Sequence, residues 1–240
     1  MSFPSPRVIV VTGASVGIGA AIVKHQASKG NIVVGMARRA ELIEEIKKEN
    51  ASWKVHALKV DLMNEADIVK AFDWIKTNLK RIDVLINNAG VLIATDILKG
   101  EMDHWKTLFG VNLFAPVICM REAKSLLSKD GHIVNIGSIA GDRVLPNLVY
   151  MGYSSTKHAL RVVTDGVRLT LAKEMPKVRV TLIAPGVVET DMSTPFMTAS
   201  PVEIPSVKPE QVAYSVDHVI NTPYFVNVTN LTIQPTSEQF

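Results

Sequence analysis

Short apolar runs alternate with longer amphipathic stretches along most of the chain. The apolar runs are residues 7–11, 31–36, 54–60, 83–86, 132–136 and 178–183, and the amphipathic stretches are residues 18–29, 40–49, 65–79, 102–128 and 150–173. Uninterrupted apolar runs are typical of parallel strands buried on both faces, and the longer stretches are typical of the helices that cover them. The pattern therefore predicts an α/β fold, with a doubly wound, mostly parallel sheet flanked by helices on both faces.

Composition narrows the class of protein. The chain has 240 residues without an internal repeat or a linker, which favours one domain over residues 1–240. Its net charge is only +3 with both signs interspersed, so we expect no nucleic acid partner. No apolar run could span a membrane and no signal peptide precedes the first strand, so we expect a cytoplasmic protein. Six scattered histidines and one cysteine, Cys119, predict neither a metal site nor a disulfide.

A glycine-rich segment joins the first predicted strand to the first predicted helix. Ligands of parallel α/β sheets bind where strands end, and glycine lets the backbone approach a pyrophosphate closely. The N-terminus of the following helix would present free N–H groups to that anion. A glycine-rich turn alone could be an ordinary turn without a ligand, but its position between a strand and a helix predicts a dinucleotide site. The residues expected to bind the dinucleotide here are Gly13, Ser15, Val16, Gly17, Ile18 and Gly19.

The end of the second predicted strand indicates which dinucleotide is bound. NAD-binding sites carry an acidic residue there for the ribose hydroxyls, whereas this chain has Ala37 followed by Arg38 and Arg39. Guanidinium groups pair well with a 2′-phosphate. We therefore predict NADP(H) rather than NAD, with Arg38 contributing more than Arg39. The alternative is that both arginines are solvated residues at the start of a helix.

Two further strand ends are candidates for the cofactor site. Asp61 and Leu62 follow the third predicted strand and could edge an adenine ring. Asn88, Ala89 and Gly90 follow the fourth and could lie under the cofactor ribose. Each is weak evidence alone, because Asp and Asn-Gly sequences are common in turns.

Tyr153 and Lys157 are candidates for catalysis. They lie four residues apart in a predicted helix, so both side chains should face the same way. A nearby ammonium favours the phenolate, and we expect it to lower the pKa of Tyr153 from its usual value of about 10. Tyr153 could then exchange a proton with a substrate oxygen near neutral pH. The spacing alone is more typical of an ordinary surface pair.

Ser138 and Asn112 extend the candidate catalytic site. Ser138 ends the fifth predicted strand, where its hydroxyl could donate a hydrogen bond to a substrate carbonyl. Asn112 lies within a predicted helix, where asparagine is not favoured, so it could bind water and relay protons toward Lys157. It could equally be a satisfied polar group at a helix contact.

These segments, in this order and spacing, resemble the short-chain dehydrogenase/reductase family over essentially the full chain. The matching positions are residues 12–19, 61–62 and 87–90, then Asn112, Ser138, Tyr153, Lys157, Pro185, Gly186 and Thr190. The resemblance implies a Rossmann-type fold with Asn112, Ser138, Tyr153 and Lys157 as a catalytic tetrad. It implies dinucleotide-binding loops within residues 7–90 and a catalytic and substrate region within residues 105–210.

The resemblance also implies further contacts and an assembly. Tyr153 and Lys157 would contact the cofactor, and so would Pro185, Gly186, Val188 and Thr190 at its nicotinamide end. Many NADP-using relatives carry a basic residue where this chain has Val16, which leaves Arg38 as the main contact for the 2′-phosphate. Family members usually assemble as homodimers or homotetramers through the helices that here carry Asn112 and Tyr153.

The substrate is expected to be lipophilic. Within the family, residues 141–146, 185–190 and 233–236 are similar to the branch of insect farnesol dehydrogenases and vertebrate dehydrogenase/reductase member eleven. This implies an alcohol, ketone or aldehyde such as farnesol or a related isoprenoid alcohol. The residues expected to contact it are Ser138, Leu145, Tyr153, Met192 and Phe196. A general carbonyl or steroid reductase using NADPH, and a regulator that binds NADP without catalysis, stay open as alternatives.

Overall fold

Seven parallel strands form one sheet in the order β3-β2-β1-β4-β5-β6-β7. The computed structural model describes residues 6–144, 147–200 and 203–238. The strands are β1 (Val8–Thr12), β2 (Ile32–Ala37), β3 (Lys54–Lys59), β4 (Ile82–Asn87), β5 (Leu127–Ile136), β6 (Arg179–Pro185) and β7 (Asn230–Ile233). All of them end at the same edge of the sheet, which we call the strand-exit edge. The opposite edge, where they begin, is the strand-entry edge. The predicted fold class is confirmed.

The strand order reverses direction between β1 and β4. From β1 the chain first builds β2 and β3 on one side and then crosses back to build β4, β5, β6 and β7 on the other. The loops after β1 and β4 consequently diverge and leave a crevice at the strand-exit edge. Such a switch point is where open parallel sheets bind ligands.

Helices cover both faces of the sheet. The helices of the described residues are α1 (Gly17–Ser28), α2 (Ala40–Lys48), α3 (Glu65–Asn78), α4 (Met102–Phe109), α5 (Ala115–Ala123), α6 (Met151–Glu174), α7 (Thr194–Thr198) and α8 (Pro209–Ile220). Helices α1, α2 and α8 bury apolar side chains such as Ile22 and Val216 against one face. Helices α3, α5 and α6 do the same on the other face, where Cys119 is fully buried. Burial raises the pKa of the Cys119 thiol to about 12, so it packs as an apolar group.

The single helix expected over residues 102–128 is wrong. The chain forms α4, then a π-helical turn over Gly110–Phe114, then α5 and a short 3-10 turn, and β5 already begins at Leu127. Pro116 lacks the N–H that would bond the carbonyl of Asn112 in a regular α-helix. The hydrogen-bond ladder is shifted accordingly, since the Ala115 N–H bonds the carbonyl of Gly110 five residues back. Asn112 therefore lies in a π turn, a feature often found at functional sites.

The C-terminal third contains elements that the periodicity analysis did not identify. Helix α8 contacts α1 and buries Val212 and Val216, which lie four residues apart on one face of the helix. Strand β7 extends the sheet next to β6 and includes Asn230, which begins a glycosylation-like sequence. Within the described ranges, no helix is long and apolar enough to cross a bilayer.

Candidate active site

The glycine-rich loop after β1 forms a tight cradle at the strand-exit edge. Gly13 and Gly17 have positive φ angles of 65° and 56°, which favour glycine. The Gly13 N–H donates to the Met36 carbonyl at 2.8 Å, so the loop is fastened to the end of β2. A Cβ added to Gly19 would lie 2.1 Å from the Gly13 carbonyl oxygen. Only a residue without a side chain fits there, and the loop backbone stays open to a ligand at the start of α1.

Asn88 and Thr12 join the glycine loop to the loop after β4. The Asn88 side-chain amide donates to the carbonyl oxygens of Thr12 and Gly13 at 2.9 and 3.2 Å. In the other direction, the Thr12 hydroxyl oxygen accepts from the backbone N–H groups of Asn88 and Ala89, both at 3.1 Å. These reciprocal bonds hold the two walls of the crevice at a fixed separation. Thr12 was not singled out among the expected site residues.

Arg38 and Arg39 follow β2 at the same edge and are exposed. Neither guanidinium bonds a side chain or carbonyl of the described residues. Asp61 is exposed after β3, and its carboxylate accepts the backbone N–H of Met63 at 3.0 Å. This bond is typical of a turn, which was the alternative to a role in binding the cofactor. Leu62 is half-buried against the apolar layer under α3.

Tyr153, Ser138 and Lys157 converge beside this crevice. Tyr153 and Lys157 project from the first turns of α6, and the Lys157 ammonium lies 5.6 Å from the centroid of the Tyr153 ring. Ser138 follows β5 and is hydrogen-bonded to the Tyr153 hydroxyl, while its Oγ accepts the Ala140 N–H at 3.1 Å. Lys157 is 4% exposed and donates to the Ile136 carbonyl at 2.8 Å. The three side chains are thus oriented before any ligand binds.

The ionisation of the pair differs from the expectation drawn from spacing. Desolvation raises the pKa of Tyr153 to about 12, and the hydrogen bond from Ser138 offsets only part of that rise. Burial likewise lowers the pKa of Lys157 from 10.5 to about 8. The expected lowering of the Tyr153 pKa was therefore wrong for the ligand-free protein, in which desolvation is the largest influence on that pKa.

Asn112 is fully buried and uses its whole side chain within the protein. Its Oδ1 accepts the Val91 N–H at 2.8 Å, and its Nδ2 donates to the Val91 carbonyl at 3.0 Å and the Thr156 hydroxyl at 3.1 Å. Asn112 thereby tethers the loop after β4 to α6 near Tyr153. These bonds favour the alternative that Asn112 is a polar group satisfied by protein contacts, rather than one whose side chain is free to bind water and relay protons. Thr156, its partner on α6, was missed because nothing in the sequence marks it.

The loop after β6 closes the remaining side of the crevice. A Cβ built on Gly17 would lie 3.1 Å from the Thr190 methyl, and one built on Gly90 would lie 3.8 Å from both Lys157 Nζ and Met192 Cε. Ser193, which was not predicted, holds this loop by donating to the Thr190 carbonyl at 2.9 Å. The buried residues Pro185 and Val188, with Gly186 between them, lead from β6 into the loop.

The expected substrate residues form the outer part of this region. Met192 is 40% exposed and lies next to Gly90, as described above. Phe196 on α7 makes an edge-to-face contact with Tyr150, whose ring centroid lies 5.7 Å away. Tyr150 directly precedes α6 and was not predicted. Leu145 lies outside the described residues.

The arrangement defines a dinucleotide-binding α/β protein with an acid–base side-chain cluster at its switch point. Residues 7–200 match the family of short chain dehydrogenases. The chain belongs to that family and is an oxidoreductase. Among the described residues, no group of histidine, cysteine or carboxylate side chains could hold a metal ion.

Individual relatives agree over nearly the whole chain. Human dehydrogenase/reductase SDR family member 11 is 37% identical, covering 97% of this chain and 95% of its own. Farnesol dehydrogenase from Aedes aegypti is also 37% identical, covering 98% of each chain. The closed form of serine dehydrogenase with NADP+ is 28% identical, with a TM-score of 0.87 over 97% of this chain and 96% of its own. A metagenomic short-chain oxidoreductase in complex with NADP is 28% identical, with a TM-score of 0.83 over 98% and 99%.

Proposed function

We propose that this oxidoreductase is NADP(H)-dependent and acts on a lipophilic alcohol, ketone or aldehyde. The observation that carries the proposal is the convergence of Tyr153, Ser138 and Lys157 next to the glycine-lined crevice. A phenol, a hydroxyl donor and an ammonium at one point suit proton exchange with a substrate oxygen. NADP+ or NADP in the two similar structures supports the choice of cofactor.

The chain's own residues fit such a cofactor. At Gly19 a Cβ would collide with the Gly13 carbonyl, so the absent side chain lets the first turn of α1 pack directly against the loop that would hold a pyrophosphate. The first turn of α1 has no acidic residue to oppose that anion. Arg38 and Arg39 would pair with a 2′-phosphate. The other proposed contacts, from the adenine end to the nicotinamide end, are Asp61, Leu62, Asn88, Ala89, Gly90, Pro185, Gly186, Val188 and Thr190, together with Tyr153 and Lys157.

The proposed mechanism divides the chemistry between the cofactor and three side chains. When bound, nicotinamide supplies or accepts the hydride. Tyr153 donates its proton to the carbonyl oxygen in reduction and takes the hydroxyl proton in oxidation. Ser138 donates a hydrogen bond to the same oxygen as negative charge develops on it. Lys157 stabilises the phenolate form of Tyr153 through its charge, and Asn112 positions the loop and α6 around them.

The role of Tyr153 is tested by removing its hydroxyl. Tyr153→Phe should lower kcat by about 100-fold or more with NADPH and a carbonyl substrate, because the proton donor is lost. NADPH affinity, followed by fluorescence, should change little. Tyr214→Phe is the matched control, since that phenol lies on α8 and is exposed. Wild-type rates in Tyr153→Phe would reject the mechanism. NADPH binding without turnover of any carbonyl or alcohol by the wild type would favour the regulator instead.

Cofactor preference is tested at Arg38. Arg38→Asp should reduce the NADP-to-NAD ratio of kcat/KM by about 10- to 100-fold, because a charge-assisted hydrogen bond is lost and a repulsion is introduced. Arg39→Asp makes the same charge change one residue away and should have a smaller effect. An unchanged ratio in Arg38→Asp would contradict the assignment.

The substrate class rests on the apolar rim and on the relatives. Met192, Phe196 and Tyr150 offer adaptable apolar contacts beside the proposed hydride position. The farnesol dehydrogenase relative supports an isoprenoid alcohol. A general carbonyl or steroid reductase is the second candidate. Its proton donor would be the Tyr153 phenol, which is protonated near neutral pH in the ligand-free protein.

A turnover panel separates these possibilities. Farnesol with NADP should be compared with lipophilic ketones and NADPH under matched conditions. Faster oxidation of farnesol supports the isoprenoid alcohol, and faster reduction of ketones supports the carbonyl reductase. Turnover confined to small charged molecules would reject the lipophilic class.

We also infer the organisation of the working protein. One domain would span residues 1–240 in the cytoplasm. It would form a homodimer or homotetramer through α5 and α6, whose outward side chains include the exposed Val117, Val162 and Leu169. Light scattering coupled to gel filtration tests this, since a monomer at micromolar concentration would contradict it.

A further inference from the structure

Positive charge is concentrated at the strand-entry edge, on the side of the sheet away from the catalytic cluster. The cations that precede or begin strands are Arg7, Lys29, Lys54, Lys80, Arg81, Lys129, Lys177 and Arg179. Loops at the strand-exit edge instead expose the carboxylates of Asp61, Asp96, Glu101, Asp142, Glu189 and Asp191. Cations such as Arg38 and Arg39 also lie at the strand-exit edge, and Asp83 and Asp130 lie at the strand-entry edge, but the excess of positive charge is at the strand-entry edge.

A cavity lies in the middle of the strand-entry edge. Its volume is about 260 Å³, and its charged lining consists of Arg7, Arg81, Asp83, Lys129, Asp130 and Arg179. Asp83 is already engaged, because its Oδ2 accepts from Arg81 Nε at 3.0 Å and from the Val8 N–H at 2.8 Å. The cations outnumber the carboxylates, although the buried Arg7 and Arg179 already donate to oxygens of residues 219–222. The net positive lining therefore suits an anionic group at the mouth of the cavity, next to the exposed Lys129.

An apolar turn projects beside this cavity. The Val226 N–H donates to the Pro223 carbonyl at 2.8 Å, which closes the turn that carries Tyr224 and Phe225 at its tip. Phe225 is 74% exposed, and Val226 is 39% exposed. The Lys177 ammonium lies 5.1 Å from the centroid of the Tyr224 ring, so a cation flanks the apolar tip.

The turn is fixed to the sheet at both of its ends. On one side, Arg179 donates to the Thr222 carbonyl at 2.9 Å and to the Thr222 hydroxyl at 2.8 Å. On the other, the Asn227 side chain accepts the Val180 N–H at 2.8 Å and donates to the Val180 carbonyl at 3.0 Å. The apolar tip is therefore held in place beside the cavity rather than free to fold back onto the protein.

We propose that the strand-entry edge docks on the anionic surface of a phospholipid membrane, with a headgroup phosphate in the cavity and Phe225 and Val226 at the interface. Basic side chains beside an exposed aromatic tip match the charge and the polarity gradient of such a surface. A nucleic acid duplex, whose bases are already stacked, would use the cations but would gain nothing from the apolar tip. The proposal is independent of the active site, which lies at the opposite edge.

Vesicle flotation with the full chain tests the proposal. The protein should float with phosphatidylcholine vesicles that contain phosphatidylserine, bind far less to phosphatidylcholine alone, and be released by salt. Lys129→Gln combined with Lys177→Gln should weaken partitioning by about 30-fold, since each cation near the surface contributes about fivefold. Lys70→Gln combined with Lys99→Gln removes the same charge from exposed positions elsewhere and should have little effect.

The apolar contribution needs its own pair of variants. Phe225→Ser should weaken partitioning by about tenfold, since a large apolar side chain leaves the interface. Leu98→Ser is the control, because Leu98 is 91% exposed in a loop at the strand-exit edge. Circular dichroism and turnover should match the wild type in all four variants.

Five results would overturn the proposal. Equal binding to neutral vesicles, or loss in the Lys70/Lys99 control alone, would show that the strand-entry cations are not the contact. A stronger effect of Leu98→Ser than of Phe225→Ser would put the membrane contact at the strand-exit edge. Tight binding to duplex DNA without vesicle binding would identify a nucleic acid surface. Dissociation of an oligomer by Phe225→Ser would assign the turn to a second copy of this chain.

Discussion

Adding a single methyl group at Gly19 or at Gly166 tests the glycine cradle against an ordinary helical glycine. A Cβ at Gly19 would lie 2.1 Å from the Gly13 carbonyl oxygen and 2.6 Å from the Asn88 amide nitrogen. Real Cβ contacts essentially never fall below 3.0 Å, so the Gly13 peptide would have to move by roughly 1 Å. Gly13 cannot easily yield, because it has a φ of 65° and is hydrogen-bonded to both Met36 and Asn88.

Gly166 offers the opposite environment for the same change. It lies in the middle of α6, and a Cβ there would meet nothing within 4 Å. Gly166→Ala should therefore raise the free energy of unfolding by about 0.5–1 kcal/mol through helix propensity alone. Gly19→Ala should lower it by about 1–3 kcal/mol through overpacking. For a domain of this size, each kcal/mol corresponds to about 2–4 °C in Tm.

The two variants should also differ in cofactor affinity. The displaced Gly13 peptide would narrow the loop at the start of α1, so we expect NADPH to bind about 10- to 100-fold more weakly to Gly19→Ala, in line with that overpacking cost. Binding to Gly166→Ala should equal that of the wild type. Thermal unfolding and fluorescence titration measure both quantities. Wild-type Tm and affinity in Gly19→Ala would show that the cradle is softer than its contacts indicate and would refute this reasoning.

Three further changes probe the catalytic cluster. Asn112→Ala removes buried bonds to Val91 and Thr156 and should lower the unfolding free energy by about 2–4 kcal/mol in calorimetry; a lower kcat at unchanged stability would favour the relay role. Gly141→Ala would bring a Cβ to 2.8 Å from the Lys157 backbone, so kcat should fall more than NADPH affinity; equal losses would contradict this. Because burial lowers the pKa of Lys157 to about 8, the folded ligand-free state releases that proton before the unfolded state does, and stability should rise with pH above 8. Between pH 7.5 and 9.5, the free energy of unfolding of the wild type, measured with urea, should rise by about 2 kcal/mol more than that of Lys157→Met. The same pH dependence in both proteins would refute the lowered pKa of Lys157.

The sheet could be predicted from the sequence because its signal is local. Residues 8–12 form an entirely buried strand, and their composition of Val, Ile and Thr is typical of one. Most strand and helix ends fell within one or two residues of the expected positions. The same locality explains why the loop after β1 was recognised, since its glycines follow the strand directly.

Other features depend on contacts that no short segment reveals. The break between α4 and α5 follows from one missing N–H at Pro116, although the apolar pattern continues through it. Helix α8 gains its apolar partners from α1, nearly two hundred residues earlier in the chain. The hydrogen bonds between Asn112 and Val91, and those between Asn88 and Thr12, likewise join distant segments. The residue types indicated polar roles there, but only the fold determines which groups they bond.

The ionisation of Tyr153 and Lys157 shows the same distinction at the level of chemistry. Their spacing correctly predicts that the two side chains meet, because helical geometry alone decides it. It does not predict that burial favours the neutral form of both side chains, with a pKa of about 12 for Tyr153 and about 8 for Lys157. A phenol in that state is an acid that can donate to a carbonyl, whereas oxidation of an alcohol first requires positive charge near the phenol to outweigh desolvation. The ionisation state of the pair is therefore governed by its environment, and the sequence motif fixes only its position.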